Sequence, residues 1–289
     1  MSRAPLPEYS RTRLAEARGR ENFPIAAWLL RPSRREARAA IYGFCRLVDD
    51  IGDERLGGDP LGQLERCREE LEACYTGAPE HQVFARLRPV IQRFSLPRDP
   101  FSRLIAANQK DQEVLAYSTW EELDRYCDLS ANPVGELVLA LEGIRDPERV
   151  SLSDSICSGL QLVNMWQDVA SDRERGRRYL PAEVLAQHGV DEADWWRGRP
   201  TPGMRAALAH AVGRARSLLR QGWPLAASTP GLMRLEMATF ILSGIEASDG
   251  VLAAGDQVFA GKAGLPRGSR RRALLGSLAA LRPGRSGIA

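Results

Sequence analysis

The chain has 289 residues, 44% of them hydrophobic and 27% charged, enough for one large domain or two small ones around a buried core. Its formal net charge of +3 is too small to point to nucleic acid. The cysteines Cys45, Cys67, Cys74, Cys127 and Cys157 are odd in number and form no Cys-x-x-Cys pair, which argues against a disulfide scaffold or a zinc ribbon and fits a reducing cytoplasm.

Lysine occurs only at Lys110 and Lys262, so nearly all the positive charge is arginine. Arginine suits phosphate recognition through its planar fork; a general bias of coding composition is the other reading. Met1 to Arg20 is polar and arginine-rich, without the apolar run of a signal peptide, and no stretch approaches the length of a membrane-spanning helix.

Helical periodicity dominates, and no run alternates as a strand does. From Pro24 to Glu54 the pattern predicts two helices, with Pro32-Ser33 as break and cap. Pro60 to Cys74 is an amphipathic helix closed by Thr76-Gly77-Ala78-Pro79. Further helices are expected over Val83 to Phe94, Asp99 to Lys110 and Trp120 to Glu142, the last interrupted near Asn132-Pro133, where a proline kinks the backbone and frees carbonyls. Asp146-Pro147 is a turn, Ser151 to Asp172 one long helix, Gly176 to Pro181 a loop, and His188 to Pro202 irregular. Thr201 to Leu219 and Leu232 to Ala253 are helical again. The tail from Pro266 to Arg285 sets six arginines around Leu274, Leu275, Leu278 and Leu281. It reads either as a basic amphipathic helix lying on anionic lipid or as a frayed, solvated terminus.

Two acidic strings carry the chemistry. Asp49-Asp50-Ile51-Gly52-Asp53-Glu54 follows an apolar stretch and places Asp49 and Asp53 one turn apart, with Arg46 one turn upstream. More than a hundred residues later, Asn164, Asp168 and Asp172 recur at i, i+4 and i+8, about 6 Å apart along a helix axis. Gln161 extends that stripe. Polar residues on the inner stripe of an apolar helix are costly unless paired or bound to metal. Two such rows facing each other would repel without divalent cations between them, and a diphosphate would complete the cation shells. The loop Arg173-Glu174-Arg175-Gly176-Arg177-Arg178-Tyr179-Leu180-Pro181 can lay guanidinium groups on a diphosphate and close over it. Of the aromatics Phe23, Tyr42, Phe44, Tyr126 and Trp166, Tyr126 is the first choice for facing a carbocation.

Other chemistries lack support. Gly255 to Lys262 has the wrong spacing for a P-loop, no GxGxxG follows a strand, and neither ExxH pairs nor a nucleophile elbow occur. His81, His188 and His210 cluster with nothing and read as surface residues.

Tyr42-Gly43-Phe44-Cys45-Arg46-Leu47-Val48-Asp49-Asp50 and Gln161 through Asp172, followed by Gly176-Arg177-Arg178-Tyr179-Leu180-Pro181, resemble the two aspartate motifs of the squalene/phytoene synthases, the trans-isoprenoid enzymes that join prenyl diphosphates head to head. The resemblance runs from about Asn22 to Glu246. Glu21-Asn22-Phe23-Pro24 and Ser130-Ala131-Asn132-Pro133-Val134-Gly135 look most like the hydroxysqualene synthases of bacterial hopanoid pathways. Condensing members have an Ala-Gly-Thr-Val-Gly type string where this chain has Ala131 to Gly135, and often Arg where it has Gln167. Both departures favour an enzyme that starts from the coupled intermediate.

The resemblance implies an all-α, single-domain helical bundle with a central apolar cavity over residues 21–262, a flexible segment at 1–20, and the basic tail at 263–289. It implies Mg²⁺ (two or three ions) on Asp49, Asp53, Asn164, Asp168 and Asp172, and no NADPH. It places Arg46, Tyr42, Phe23, Gln161, Arg177, Arg178, Tyr179 and Asn132 against substrate, with Tyr126 acting on the cation. The expected reaction converts presqualene diphosphate to hydroxysqualene in the cytoplasm, with peripheral contact at the inner face of the membrane. A presqualene diphosphate synthase hands the substrate over and a reductase takes the product; nucleic acid has no part. The alternatives are a full squalene, dehydrosqualene or phytoene synthase, and a non-catalytic prenyl-lipid-binding subunit.

Overall fold

A computed structural model describes residues 5–8, 32–53 and 55–261. Phe23, Glu54, the Glu21-to-Pro24 string and the basic tail at 263–289 lie outside the described residues. Among the described residues the secondary structure is helical, apart from one isolated parallel bridge between Ala116 and Arg178.

The chain forms two compact units, one from Met1–Val114 and Asp128–Val150, the other from Leu115–Cys127 and Ser151–Ala289. The first holds α1 (Pro32–Gly52), α2 (Pro60–Thr76), α3 (Gln82–Phe94) and α4 (Arg98–Lys110). Helix α5 (Trp120–Ser130) starts in the second unit and ends in the first, which also holds α6 (Asn132–Leu141). Helix α7 (Pro147–Gln167) starts in the first and continues in the second. The second also contains α8 (Val169–Glu174), α9 (Ala182–Gln187), α10 (Glu192–Arg197), α11 (Pro202–Gln221), α12 (Trp223–Ser228), α13 (Gly231–Ala254) and a 3₁₀ turn over Gly255–Ala260.

In the first unit α1 packs on α2, α3, α4 and α6. Its buried residues Ala37, Ile41, Phe44, Leu47, Val48 and Ile51 recur at helical spacing and form one apolar stripe. Phe44 meets Phe84 and Phe101 edge to face, with ring centroids 5.7 and 5.1 Å apart. Each such pair contributes about 0.5–1.5 kcal/mol beyond its buried area. Glu70 is buried on α2. It accepts the backbone N–H groups of Glu80 (2.9 Å) and His81 (3.0 Å) and pairs with Arg66 at 2.8 Å. That carboxylate ties α2 to the start of α3. There His81 Nδ1 accepts the Val83 N–H at 3.4 Å, while Nε2 lies 3.1 Å from the Pro7 carbonyl.

In the second unit three glycines let α7, α11 and α13 approach closely. A Cβ on Gly159 would stand 2.8 Å from Leu219 Cγ, and one on Gly244 would stand 2.8 Å from Leu219 Cδ1. Leu219 is thus wedged between α7 and α13. A Cβ on Gly222 would reach 2.2 Å from Ile156 Cγ1. Thr201 caps α11 by accepting the Met204 N–H at 3.1 Å, and Pro202 opens it at a position whose N–H has no helical partner.

Three sequence expectations need correction. Ser151 to Asp172 is two helices, because Asp168 (φ −96°, ψ 9°) leaves helical geometry between α7 and α8. His188 to Pro202 contains α10, whose N-cap Asp191 accepts the Ala193 N–H at 2.8 Å. The short α9, α12 and 3₁₀ elements have too few residues to show a period. Finally, Gly231–Ala260 is long and apolar enough, at mean hydropathy 1.3, to cross a membrane by length and composition. Its buried Met233, Met237, Ile241, Gly244 and Val251 show the other source of such a pattern, a helix packed into a core.

The break near Asn132-Pro133 forms as expected. Ala131 (φ −120°, ψ −51°) separates α5 from α6, and Pro133 sits in the first turn of α6, where its missing N–H costs nothing.

Candidate active site

The first acidic string ends α1 in the first unit, and each of its carboxylates meets a different environment. Asp50 is buried and takes Arg46 Nη2 at 2.5 Å and Arg55 Nη1 at 3.5 Å. Asp53 pairs with Arg55 Nη2 at 2.8 Å. Asp49 keeps access to solvent and accepts Asn108 Nδ2 at 3.3 Å. Burial among the surrounding protein nevertheless pushes its pKa up to about 6, against smaller downward pulls from Asn108 and Arg46. Gln112 Nε2 donates to the Gly52 carbonyl at 2.8 Å and closes the end of the helix.

The second string lies in the second unit. Despite the break at Asp168, the backbone keeps its register: Asp168 N–H donates to the Asn164 carbonyl at 3.0 Å and Asp172 N–H to the Asp168 carbonyl at 2.9 Å. Asp168 is exposed, and Asn164 and Asp172 are half-buried. The Asn164 side-chain oxygen is buried and finds no hydrogen-bond donor among the described residues. Gln161, half-buried, is on the same stripe.

The Arg-rich loop is anchored. The Arg175 and Arg177 N–H groups both donate to the Asp172 carbonyl, at 3.0 and 2.8 Å. Arg178 is buried, donates its backbone N–H to the Leu115 carbonyl at 2.7 Å, and pairs through Nη1 with Glu192 at 3.1 Å. Its guanidinium is therefore held toward Glu192. Arg177 is half-buried. Tyr179 stacks on Tyr117 at 5.8 Å and 19°, and both lie against Tyr126, at 5.7 and 5.5 Å. Tyr126 is buried within this trio.

Asn132, also buried, donates Nδ2 to Asp128 Oδ1 at 2.8 Å and braces the α5–α6 junction. Tyr42 is half-buried on α1. The histidines differ from expectation: His188 Nε2 and His210 Nδ1 are 3.1 Å apart, and His81 caps α3. The sequence reading missed Arg55, Asn108 and Tyr117. Of these only Asn108 carries a signal, since it falls one turn after Leu104 on the buried face of α4.

Among the described residues no three His, Cys, Asp or Glu side chains form a group able to hold a metal unaided. Mg²⁺ asks for less. It commonly binds one or two carboxylates and completes its shell with water and substrate phosphate. An acceptor oxygen left without a donor on Asn164, an exposed carboxylate on Asp168, and a carboxyl at Asp49 whose charge local cations do not fully offset are the donors a hard cation takes.

A model of the squalene/phytoene synthase family matches residues 17–273, a span that contains both acidic strings, the loop after the second and the tyrosine trio. The chain belongs to the squalene/phytoene synthase family. It is 37% identical over 210 residues to a hydroxysqualene synthase of Rhodopseudomonas palustris, covering 72% of this chain and 70% of that protein. To a phytoene synthase of Thermus thermophilus it is 33% identical over 200 residues, covering 69% and 68%. The crystal structure of squalene synthase HpnC from Alicyclobacillus acidocaldarius aligns with a TM-score of 0.75 at 35% identity, covering 86% of this chain and 89% of that one. The fold is thus the all-α isoprenoid-synthase fold of these relatives, and the family is one of enzymes.

Proposed function

We propose that the protein converts presqualene diphosphate to hydroxysqualene with Mg²⁺ and without a reductant. The observation that carries this reading is the second acidic stripe: Asn164, Asp168 and Asp172 in register, with a donorless amide oxygen on Asn164 and, just before Asp168, a buried Gln167 where condensing relatives often carry a positive charge. The Asn132–Asp128 bond supports it too, because buried Asn132 lies in the string that departs from the condensing enzymes.

Asp49 and Asp53 in one unit, and Asn164, Asp168 and Asp172 in the other, would hold the cations. Bound Mg²⁺ supplies the Lewis acidity that makes diphosphate a leaving group. The residues of the chain do the rest. Arg46 and Arg55 hold Asp50 and Asp53 in place, and Asn108 orients Asp49. Arg177 and Tyr179 offer a cation and a hydroxyl for diphosphate oxygens, and Gln161 and Tyr42 line the substrate. Tyr126, fixed between Tyr117 and Tyr179, presents an aromatic face to the carbocation. The protein works in the cytoplasm with peripheral contact at the membrane. It receives its substrate from a presqualene diphosphate synthase and passes its product to a reductase.

The test is product analysis by mass spectrometry from presqualene diphosphate with MgCl₂ and no NADPH. Hydroxysqualene is the expected product. The second reading, a complete head-to-head synthase, is favoured by the likeness to a phytoene synthase. Turnover of farnesyl diphosphate alone would establish it and defeat the first.

A further inference from the structure

Two of the three histidines meet in the second unit, in a place the proposed reaction does not use. His188 closes α9 and His210 is on α11. Their ring nitrogens, His188 Nε2 and His210 Nδ1, stand 3.1 Å apart, with the ring planes at 87°. The backbone builds this meeting. The His188 N–H donates to the Leu185 carbonyl at 3.2 Å. The His188 carbonyl lies so close to the first turn of α11 that a Cβ on Gly203 would stand 2.5 Å from it. His210 follows Gly203 by seven residues, two turns further along the same face.

His210 also lines a polar cleft with Glu183, Gln187, Trp120 and Arg214. Arg214 is the cation that opposes a metal there, and Asp124 offsets its charge at 2.6 Å. Glu183 is held at the cleft because its Oε1 accepts the Trp120 N–H at 2.6 Å.

We propose that His188 Nε2 and His210 Nδ1 bind Zn²⁺ or a similar divalent transition-metal ion, with solvent completing its shell. Two neutral imidazoles share a hydrogen bond when one of the facing nitrogens keeps its proton, whereas a metal ion needs both lone pairs. Each ring has a second nitrogen, so the shared proton moves to the far side of the donor ring and neither imidazole changes charge. Two nitrogen ligands at 2.0–2.1 Å from a tetrahedral Zn²⁺ stand about 3.4 Å apart. That is a few tenths of an ångström from the spacing already present. The ion lies off the line joining the nitrogens, so both rings tip toward solvent; His210 is exposed and His188 half-buried.

Imidazole suits zinc, nickel and copper, while carboxylate and water suit magnesium. The histidine pair and the acidic strings therefore select different ions. With two protein ligands in place of the four of a closed structural site, the bound ion is exchangeable. It ties the end of α9 to α11.

The test titrates untagged full-length protein with ZnCl₂ in the presence of excess MgCl₂. Calorimetry should show a Zn²⁺ site that weakens at least about tenfold in His188→Ala and in His210→Ala, since loss of an outer-shell partner alone costs about 10–100-fold. The half-buried thiols Cys45 and Cys157 are common to all three proteins, so the difference between them isolates the histidines. Nitrogen NMR of the imidazole rings needs no variant and decides even where one does not fold. With excess ZnCl₂, His188 should be fixed with its proton on Nδ1 and His210 with its proton on Nε2, while His81, in the first unit, keeps its signals. Signals of His188 and His210 that stay in place, or movement of one ring without the other, overturns the proposal. Equal Zn²⁺ affinity in wild type and both folded variants also overturns it and assigns the ion to a thiol.

Discussion

Asn108 on α4 donates to Asp49 on α1 at 3.3 Å, and it reaches that carboxylate because residue 52 has no side chain: a Cβ on Gly52 would stand 2.0 Å from Asn108 Oδ1. This pairing bears directly on the charge of Asp49. A donor to the ionised form favours ionisation, so Asn108 works against the burial that pushes Asp49 up to about 6.

Asn108→Leu removes that donor and should move the Asp49 carboxyl further above 6. Gly52→Ala should act in the same direction by displacing Asn108. NMR titration of the metal-free protein reads the shift, and an Asp49 that titrates as in wild type in both variants would show the bond to be inconsequential.

Loss of a second-string oxygen should be severe. Asp168→Asn should lower diphosphate release by about 10²–10³-fold or more, as removal of one electrostatic stabiliser does elsewhere, with helicity unchanged. Asn164→Ala should fall in the same direction. Near wild-type release from a folded Asp168→Asn would remove this stripe from the chemistry.

Two groups give the metal-free protein opposite responses to pH. Burial holds the His81 pKa below its ordinary 6.5, against the pull of the Pro7 carbonyl and Glu70. Below 6.5 the unfolded chain takes up a proton that folded His81 refuses, so its contribution to stability is lost as pH falls from there. Asp49 runs the other way. The folded carboxyl keeps its proton up to about 6 and the unfolded one only to 3.8, so stability rises as pH falls between these values. Urea midpoints against pH should lose the first slope in His81→Asn, which keeps a capping acceptor, and the second in Asp49→Asn.

The thiols should divide by burial. Cys74 is pushed up to about 12 by burial and then by Glu70, and Cys67 is shifted upward for the same reasons. Thiolates react and thiols do not. In native protein Ellman's reagent should label the half-buried Cys45 and Cys157, and Cys67, Cys74 and Cys127 only after denaturant is added.

Leu219 gives a packing test. Gly159→Ala drives a methyl group to 2.8 Å from Leu219 Cγ and 3.1 Å from the Ala215 carbonyl. Overpacking of this kind costs about 1–3 kcal/mol, read from denaturant melts. The cost should shrink in a Leu219→Ala background, because the two residues share one space.

The sequence by itself determined what depends on neighbours within two turns. The boundaries of α2, α3, α4 and α11 follow from apolar periodicity, Pro60 and Pro202 at helix starts, and the turn at Gly77. The shared face of Asn164, Asp168 and Asp172 follows from helix pitch and persists through the break at Asp168. Only the tertiary structure decided which carboxylate is neutralised and which is not. Asn108 comes to Asp49 from 59 positions away. It also brought Tyr117 to Tyr126 and Tyr179, turned Arg178 toward Glu192, and paired His188 with His210. Helix register is set by hydrogen bonds between residues four apart, whereas desolvation and charge pairing are set by groups that only the packing of distant segments brings within a few ångströms.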